Sequence, residues 1–274
     1  MPVIAMTREM GSLGKDVALG LAEALDLQVV HHEVVERDLA DRAHLKESVV
    51  HRFLEGDPGM LERWQVRGRV ALYTAEEVCE LATRGNVVIR GWGATHVLRP
   101  VPHVVCVRVC APLELRTRVL MQRLGIDDEA IARREIERND AAHARTMLQL
   151  FSADWQDPAH YDLVLNTARV PTQECVGQIR RLVESSAFQE TKASREVLAD
   201  VMLGAYVRTA LRDCPETQSS GLIVDVAASA RSGRVTLRGF AASEELRLAA
   251  ERVVSGVSGV TAVTNQVLRM RTND

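Results

Sequence analysis

Residues 2–27, PVIAMTREMGSLGKDVALGLAEALDL, constrain this chain more than any other stretch. Val3, Ile4, Ala5 and Met6 form a short apolar run suited to a buried strand. Gly11, Ser12, Leu13 and Gly14 break the run, and Lys15 follows at once. From Asp16 onward, Val17, Leu21, Ala24 and Leu25 recur at helical spacing. A strand, a glycine turn, a lysine and a helix together make an anion cradle. Glycines let backbone N–H groups point into the bend, the helix N-terminus adds positive potential, and the lysine brings a mobile charge. The full phosphate-loop pattern is G-x-x-x-x-G-K-[ST]. Gly14 and Lys15 fit it, but Glu9 stands at the first glycine and Asp16 at the magnesium-binding hydroxyl. The stretch reads either as a loop for nucleotide phosphates or as a glycine-rich strand-to-helix turn with a solvated lysine. Asp16 likewise reads either as a carboxylate ligand for Mg2+ or as an acid complementing the helix N-terminus.

Further along, the same rhythm repeats. Gln28–Val30 is a short strand followed by His31, His32 and Glu33, which read as a ligand-reading edge or as a polar loop. Glu55, Gly56, Asp57, Pro58 and Gly59 break the chain, and a helix is expected over 61–83. Residues 86–89 form a strand that ends in Arg90-Gly91-Trp92-Gly93, a second glycine turn at the same edge of the expected sheet. Residues 103–110 form a valine-rich strand, Pro112 and Glu114 open a helix, and 128–150 are helical. In that last helix Ile136, His143, Met147 and Leu150 make the inner stripe. Residues 161–165 form a strand ending in Asn166-Thr167, and Pro171 starts a helix that runs to about 185. Strands alternating with helices predict an α/β fold with a mainly parallel sheet and helices on both faces.

The pattern changes near 186–194. A helix over 194–212 is followed by strands in which Leu222, Val224 and Val226, then Val235 and Leu237, alternate with polar or small residues. Arg231-Ser232-Gly233 marks the hairpin turn between them. Ser243 caps a helix to about 255, and a strand covers 261–270. This αββαβ order predicts a small α+β domain, one sheet under two helices. Domains are therefore expected at 1–187 and 192–272.

Composition excludes several classes. The net charge of −3 and 4% aromatic content argue against nucleic-acid binding. No run approaches the length of a spanning helix. Five cysteines without a C-x-x-C pair fit reduced core thiols of a cytoplasmic protein, and Cys106 and Cys110 read as packing on one strand face.

Arg134, Arg138 and Arg145 share a helix stripe, because spacings of four and seven keep them aligned. They read as guanidinium groups that close over phosphates, or as a solvated mixed-charge face. No convincing Ser-His-Asp or Cys-His arrangement can be placed from the sequence, and no H-E-x-x-H occurs in it.

TREMGSLGKDVALGLAEALDLQVVHHEVV resembles the start of the cytidylate kinase-like family. The resemblance continues through VVIRGWGATHVL, ARREIERNDAAHAR and DWQDPAHYDLVLNT, covering about residues 1–185. It implies a P-loop nucleoside-monophosphate kinase fold in three layers, with ATP and Mg2+ as donor and CMP or dCMP as acceptor. By that resemblance Gly11, Ser12, Leu13, Gly14, Lys15 and Asp16 form the phosphate loop, and Asn166 lies near the donor base. His32, Arg90, Trp92, Arg134 and Asp140 are the expected acceptor-binding residues, with Arg134, Arg138 and Asp140 in or beside a mobile lid. Lys15, Arg138 and Arg145 are the expected catalytic residues, and Asp16 the metal ligand. Trp92 departs from the family's usual arginine, and His143 stands about where a lid arginine is usual.

VTLRGFAASEELRLAAERVVSGVSGVTAVTNQV, with Gly259, Val260, Val263 and Asn265, resembles a BON domain. That resemblance implies a protein or phospholipid partner rather than catalysis. The expected function is ATP-dependent phosphoryl transfer to a nucleoside monophosphate. The alternative is a non-catalytic nucleotide sensor that controls what the BON-like module binds. The sequence leaves the oligomeric state open.

Overall fold

In β1 (Val3–Arg8), Val3 and Ala5 enter one hydrophobic core while Ile4 and Met6 enter another. A strand with both faces covered has no reason to alternate apolar with polar, which explains its continuous apolar run. The computed structural model describes residues 1–30, 63–91, 93–125, 127–218 and 221–270, the side chains of 63–70 and of residue 150 aside. Elements are numbered over those residues.

β1 is the centre of a five-stranded parallel sheet of order β2-β3-β1-β4-β5. Its neighbours are β2 (Gln28–Val30), β3 (Val87–Arg90), β4 (Val104–Cys110) and β5 (Leu163–Asn166). Because all strands run one way, the turns after β1, β3 and β5 share one edge. One face carries α1 (Gly14–Leu25) and α6 (Thr172–Val183), which bury Val17, Leu21, Cys175 and Ile179. The other carries α2 (Arg63–Arg84) and the short α3 (Ala94–Val97), which bury Val78, Cys79 and Ala94. The parallel sheet with helices on both faces is what the alternating strands and helices predict, and the three layers are those of the P-loop kinase fold that the resemblance implies. α3, only four residues long, leaves no helical periodicity to read in the sequence. α4 (Leu113–Leu124) and α5 (Glu129–Phe151) pack on each other through Leu120, Ala132 and Ile136. Ile136 and Met147 are buried, as the expected stripe requires, whereas the side chain of Leu150 lies outside those described. The buried Cys106 and half-buried Cys110 are free thiols facing backbone carbonyls.

The C-terminal sheet has order β6-β7-β8, formed by Leu222–Ser229, Arg234–Ala241 and Ala262–Arg269. β6 and β7 make the expected hairpin, closing at Gly233, whose φ is +62°. β8 runs parallel to β7, after the crossover helix α8 (Glu244–Ser255) capped by Ser243. Asn265 binds the Arg247 carbonyl and the Glu251 carboxylate, tying β8 to α8.

Helix α7 (Lys192–Asp213) enters through a capping box of Thr191 and Ser194. Its first half places Leu198, with Val197, Val201 and Met202, in the core that covers β1 and β3. Its second half places Leu203, Val207 and Leu211 in the core of the small sheet. Tyr73 on α2 donates to Asp213 at 2.8 Å, and Tyr206 donates to Glu80 at 3.0 Å. α7 is thus part of both halves.

Candidate functional site

The loop between β1 and α1 is held by its own backbone. Ser12 N donates to Glu9 O at 3.1 Å, and Asp16 N to Leu13 O at 3.0 Å. Gly11 has φ +78°, and a Cβ there would stand 2.5 Å from the Arg116 carbonyl oxygen. Both conformation and space therefore demand glycine. Leu13 adopts φ 60° without being glycine, a strained backbone of the kind found at ligand clamps. No side chain caps α1, which leaves its first N–H groups to an incoming anion. Lys15 and Asp16 are exposed at this end, with Arg123 3.8 Å from Asp16.

Ser12 is placed differently from the sequence expectation. It is buried, its hydroxyl donates to Val109 O at 3.1 Å, and its carbonyl accepts from Thr167 Oγ1 at 2.8 Å. With its amide also engaged, Ser12 braces the loop and has no donor left for a phosphate. Thr167 in turn fastens the end of β5 to the loop. Asn166, beside it, uses Oδ1 to accept from Ala168 N.

Glu9, which stands at the first glycine of the phosphate-loop pattern, is the hub of a buried charge network. Its carboxylate receives Arg108 at 2.8 Å, the Ala111 N–H at 3.0 Å and Arg116 at 3.3 Å. Arg116 continues to Met10 O at 3.1 Å through Nε, and to Asp140 at 2.8 and 2.5 Å through Nη1 and Nη2. Arg108 continues to the Trp155 carbonyl at 3.0 Å and lies 4.7 Å over its ring. Both arginines are buried. A chain of charges thus runs from β4 through Glu9 and Arg116 to α5, behind the loop. Asp140, expected near the acceptor, instead spends Oδ2 on Arg116, and its buried Oδ1 has no partner among the described residues. Burial pushes its carboxyl up to about 6, although Arg116 works against the shift. Neither Arg108 nor Arg116 was singled out from sequence. An arginine inside a valine-rich strand was the available signal.

Arg90 ends β3 at the same sheet edge. It is buried, and its Nε and Nη1 have no hydrogen-bond partner among the described residues. Burial, then the nearby Arg123 charge, lowers its pKa. An unpaired buried guanidinium at a cleft edge calls for an anion. Arg134, Arg138 and Arg145 stand on the exposed side of α5. Arg138 meets Glu135 at 3.2 Å, and Arg145 donates to Ala141 O at 3.2 Å. The structure thus brings the loop, Arg90, Asn166 and Thr167 to one edge and leaves the arginine stripe in solvent. His143 packs edge-on against Trp155, with ring centroids 4.5 Å apart. Burial, then the charges of Arg8 and Arg108, lowers its pKa to about 4. His32 and Trp92 lie outside the described residues.

These features fit the phosphates of a nucleotide: an uncapped helix end, a bend that a Cβ would fill, and a buried guanidinium with no partner among the described residues. Among the described residues no group of three or more His, Cys, Asp or Glu side chains could hold a metal ion. Asp16 offers a single carboxylate, which suits Mg2+, an ion that keeps waters and takes its other oxygens from phosphates.

A parallel sheet with a glycine loop heading its first helix defines the class: a P-loop kinase-type α/β protein joined to a small α+β module. The chain belongs to the cytidylate kinase-like family, which residues 3–169 match, and residues 205–268 match the BON domain. Among curated relatives, the cytidylate kinase of Pyrobaculum islandicum is 28% identical over 179 residues, covering 64% of this chain and 89% of that one. The cytidylate kinase of Methanopyrus kandleri is 26% identical over 182 residues, with the same coverage. Among solved structures, an uncharacterized protein from Eubacterium ventriosum superposes with a TM-score of 0.54 at 20% identity, over 68% of this chain and 99% of that one. That last likeness is one of fold alone. No helix among the described residues is long and apolar enough to cross a membrane.

Proposed function

We propose that this chain transfers the terminal phosphoryl group of ATP to a nucleoside monophosphate, with CMP or dCMP as acceptor. The observation that carries the reading is the uncapped N-terminus of α1 behind Gly11–Lys15, at the edge where buried Arg90 has no hydrogen-bond partner for Nε and Nη1 among the described residues. The names of the relatives support a cytidylate acceptor.

ATP bound with Mg2+ supplies the phosphoryl group, and the ion offsets charge on its oxygens. The protein supplies positioning and charge. Gly11 and Leu13 hold the bend open, Gly14 and Lys15 present N–H groups at the helix end, and the exposed Lys15 ammonium bridges phosphates. Asp16 would hold the ion through its carboxylate. Arg90, with His32 and Trp92, serves the acceptor, and Asn166 serves the donor base. Arg138 and Arg145 are free to fork onto the transferring group, since exposed contacts of the kind they now make are worth at most about 1 kcal/mol. Arg134 and Asp140 belong to the same helix, Asp140 as its tie to Arg116. The BON-like module supplies a protein or phospholipid partner site.

A coupled assay for ADP release, run with ATP and Mg2+ over CMP, dCMP, UMP, AMP and GMP, tests this. Turnover on a cytidine monophosphate, abolished in Lys15→Ala, is the expected result. A second reading, a nucleotide sensor without turnover, is favoured by Glu9 at the first glycine and by α7, which joins the nucleotide half to the module. Saturable nucleotide binding with no ADP release across the panel would establish that reading instead.

A further inference from the structure

α2, α3, the C-terminal end of α5, α7 and β6 line a half-open pocket of about 580 Å3 at the seam between the two halves. Packed interiors leave few voids larger than a water molecule. Ligand pockets occupy roughly 300–1,000 Å3. The space persists although α2 and α7 are joined nearby by the Tyr73–Asp213 and Tyr206–Glu80 bonds. It persists because small side chains, Ala75, Ala205 and Ala228 among them, face it.

Its walls are mostly apolar, including Leu72, Val97, Phe151 and Val201, and three polar side chains join them: His96, Asp200 and Arg208. Asp200 is committed, since Oδ1 accepts the Ala230 N–H at 2.6 Å. Arg208 folds back over Gly204, where a Cβ would come within 3.0 Å of Nη1. Its Nη2 donates to the Val226 carbonyl at 2.9 Å, its one hydrogen bond among the described residues. The residue is exposed and lines the pocket; burial of part of its side chain lowers its pKa while the Asp225 carboxylate opposes the shift, and its remaining donors make no other hydrogen bond among the described residues.

We propose that this cavity binds a free amphiphilic anion, with one carboxylate, sulfonate or phosphate head on Arg208 and an apolar body between α2 and α7. The apolar walls reward burial of a hydrocarbon or ring body, and the guanidinium fixes the charged end. The site lies against Phe151, the last residue of α5, whose ring fills the space beside Gly93 and sits 5.9 Å from that of His96. Occupancy therefore bears on the helix carrying Arg134, Arg138 and Arg145 and on the turn after Arg90. That coupling, unlike the binding, rests on the kinase reading.

The test is a fluorescence titration of the full chain with 8-anilinonaphthalene-1-sulfonate, followed by displacement with dodecanoate. One saturable site is expected. Arg208→Gln should weaken dodecanoate about tenfold, the worth of a charge-assisted hydrogen bond, while leaving dodecanol binding unchanged. Ala228→Trp should fill the chamber and abolish both. Absence of saturable binding, or equal dodecanoate affinity in wild type and Arg208→Gln, would overturn the proposal. Arg208→Gln, at an exposed position outside the packed cores, decides the matter even where Ala228→Trp does not fold, with a thermal melt confirming that the variant is folded. Dodecanoate bound at this site by a chain that shows no phosphoryl transfer would sustain this inference and sink the kinase reading.

Discussion

Glu9 faces Arg116 across 3.3 Å directly behind the phosphate loop, and both side chains are nearly closed to solvent. The carboxylate that spoils the loop's sequence pattern is thus a structural post. It anchors the arginine whose carbonyl presses on Gly11 and whose guanidinium reaches α5. Glu9→Ala leaves Arg108 and Arg116 buried without that counter-charge, and breaking such a buried pair costs about 3–5 kcal/mol. Urea unfolding should show this loss, with Glu9→Gln less affected because its amide oxygen still accepts from the Ala111 N–H. A midpoint equal to wild type in Glu9→Ala would show that the post carries no load.

Arg138 and Arg145 behave oppositely. Both are exposed, and among the described residues their hydrogen bonds and ion pairs lie within α5, so alanine at either position should change stability by less than about 0.5 kcal/mol. If they meet the transferring phosphoryl, turnover should fall by a factor on the order of 10^3, the worth of an arginine placed there. Melting and steady-state assays on the same preparations separate the two effects. Unchanged turnover in the double variant would remove the stripe from the mechanism.

His143 makes stability depend on pH. Its folded pKa is lowered to about 4, chiefly by burial, below the ordinary histidine value near 6.5. Between those values the unfolded chain binds a proton that the folded chain refuses, so stability is complete above about 6.5 and is lost as pH falls toward 4. His143→Leu should flatten that part of the profile. Urea midpoints at pH 4.5, 5.5 and 7 for both proteins check this, and parallel profiles would assign the dependence to other groups.

Leu198 lies on α7 yet belongs to the core over β1 and β3. Leu198→Ala should cost about 2–5 kcal/mol. Tyr206→Phe, which removes the bond to Glu80, should cost about 1 kcal/mol. Thermal melts by calorimetry read both. A loss from Leu198→Ala confined to unfolding of the small sheet would contradict its placement.

Much of the first half was legible because local chemistry decides it. Apolar runs at 3–6, 87–89 and 104–107 become strands covered on both faces, and the glycines at 11 and 91 turn the chain after two of them. What escaped was set by distance along the chain. Glu9 meets Arg108 and Arg116 from about a hundred residues away, and no local periodicity records that. Arg108 sits in a valine-rich run where charge looks incidental, and only the folded sheet reveals its partner. Ser12 belongs to the phosphate loop by the family resemblance, yet its hydroxyl goes to Val109 O and its carbonyl accepts from Thr167, bonds that no local pattern records. α7 carried its own signal: Leu198, Val201 and Met202 point one way and Leu203, Val207 and Leu211 another, the mark of a helix with two neighbours.

The BON match begins at residue 205, inside α7, whereas the kinase-family match stops at 169. A border drawn through a helix cannot be a hinge. With one rod seated in two cores, neither half can melt without stripping apolar cover from the other. The chain should unfold in one cooperative step, and whatever grips the small sheet pulls on the same rod that roofs β1 and β3.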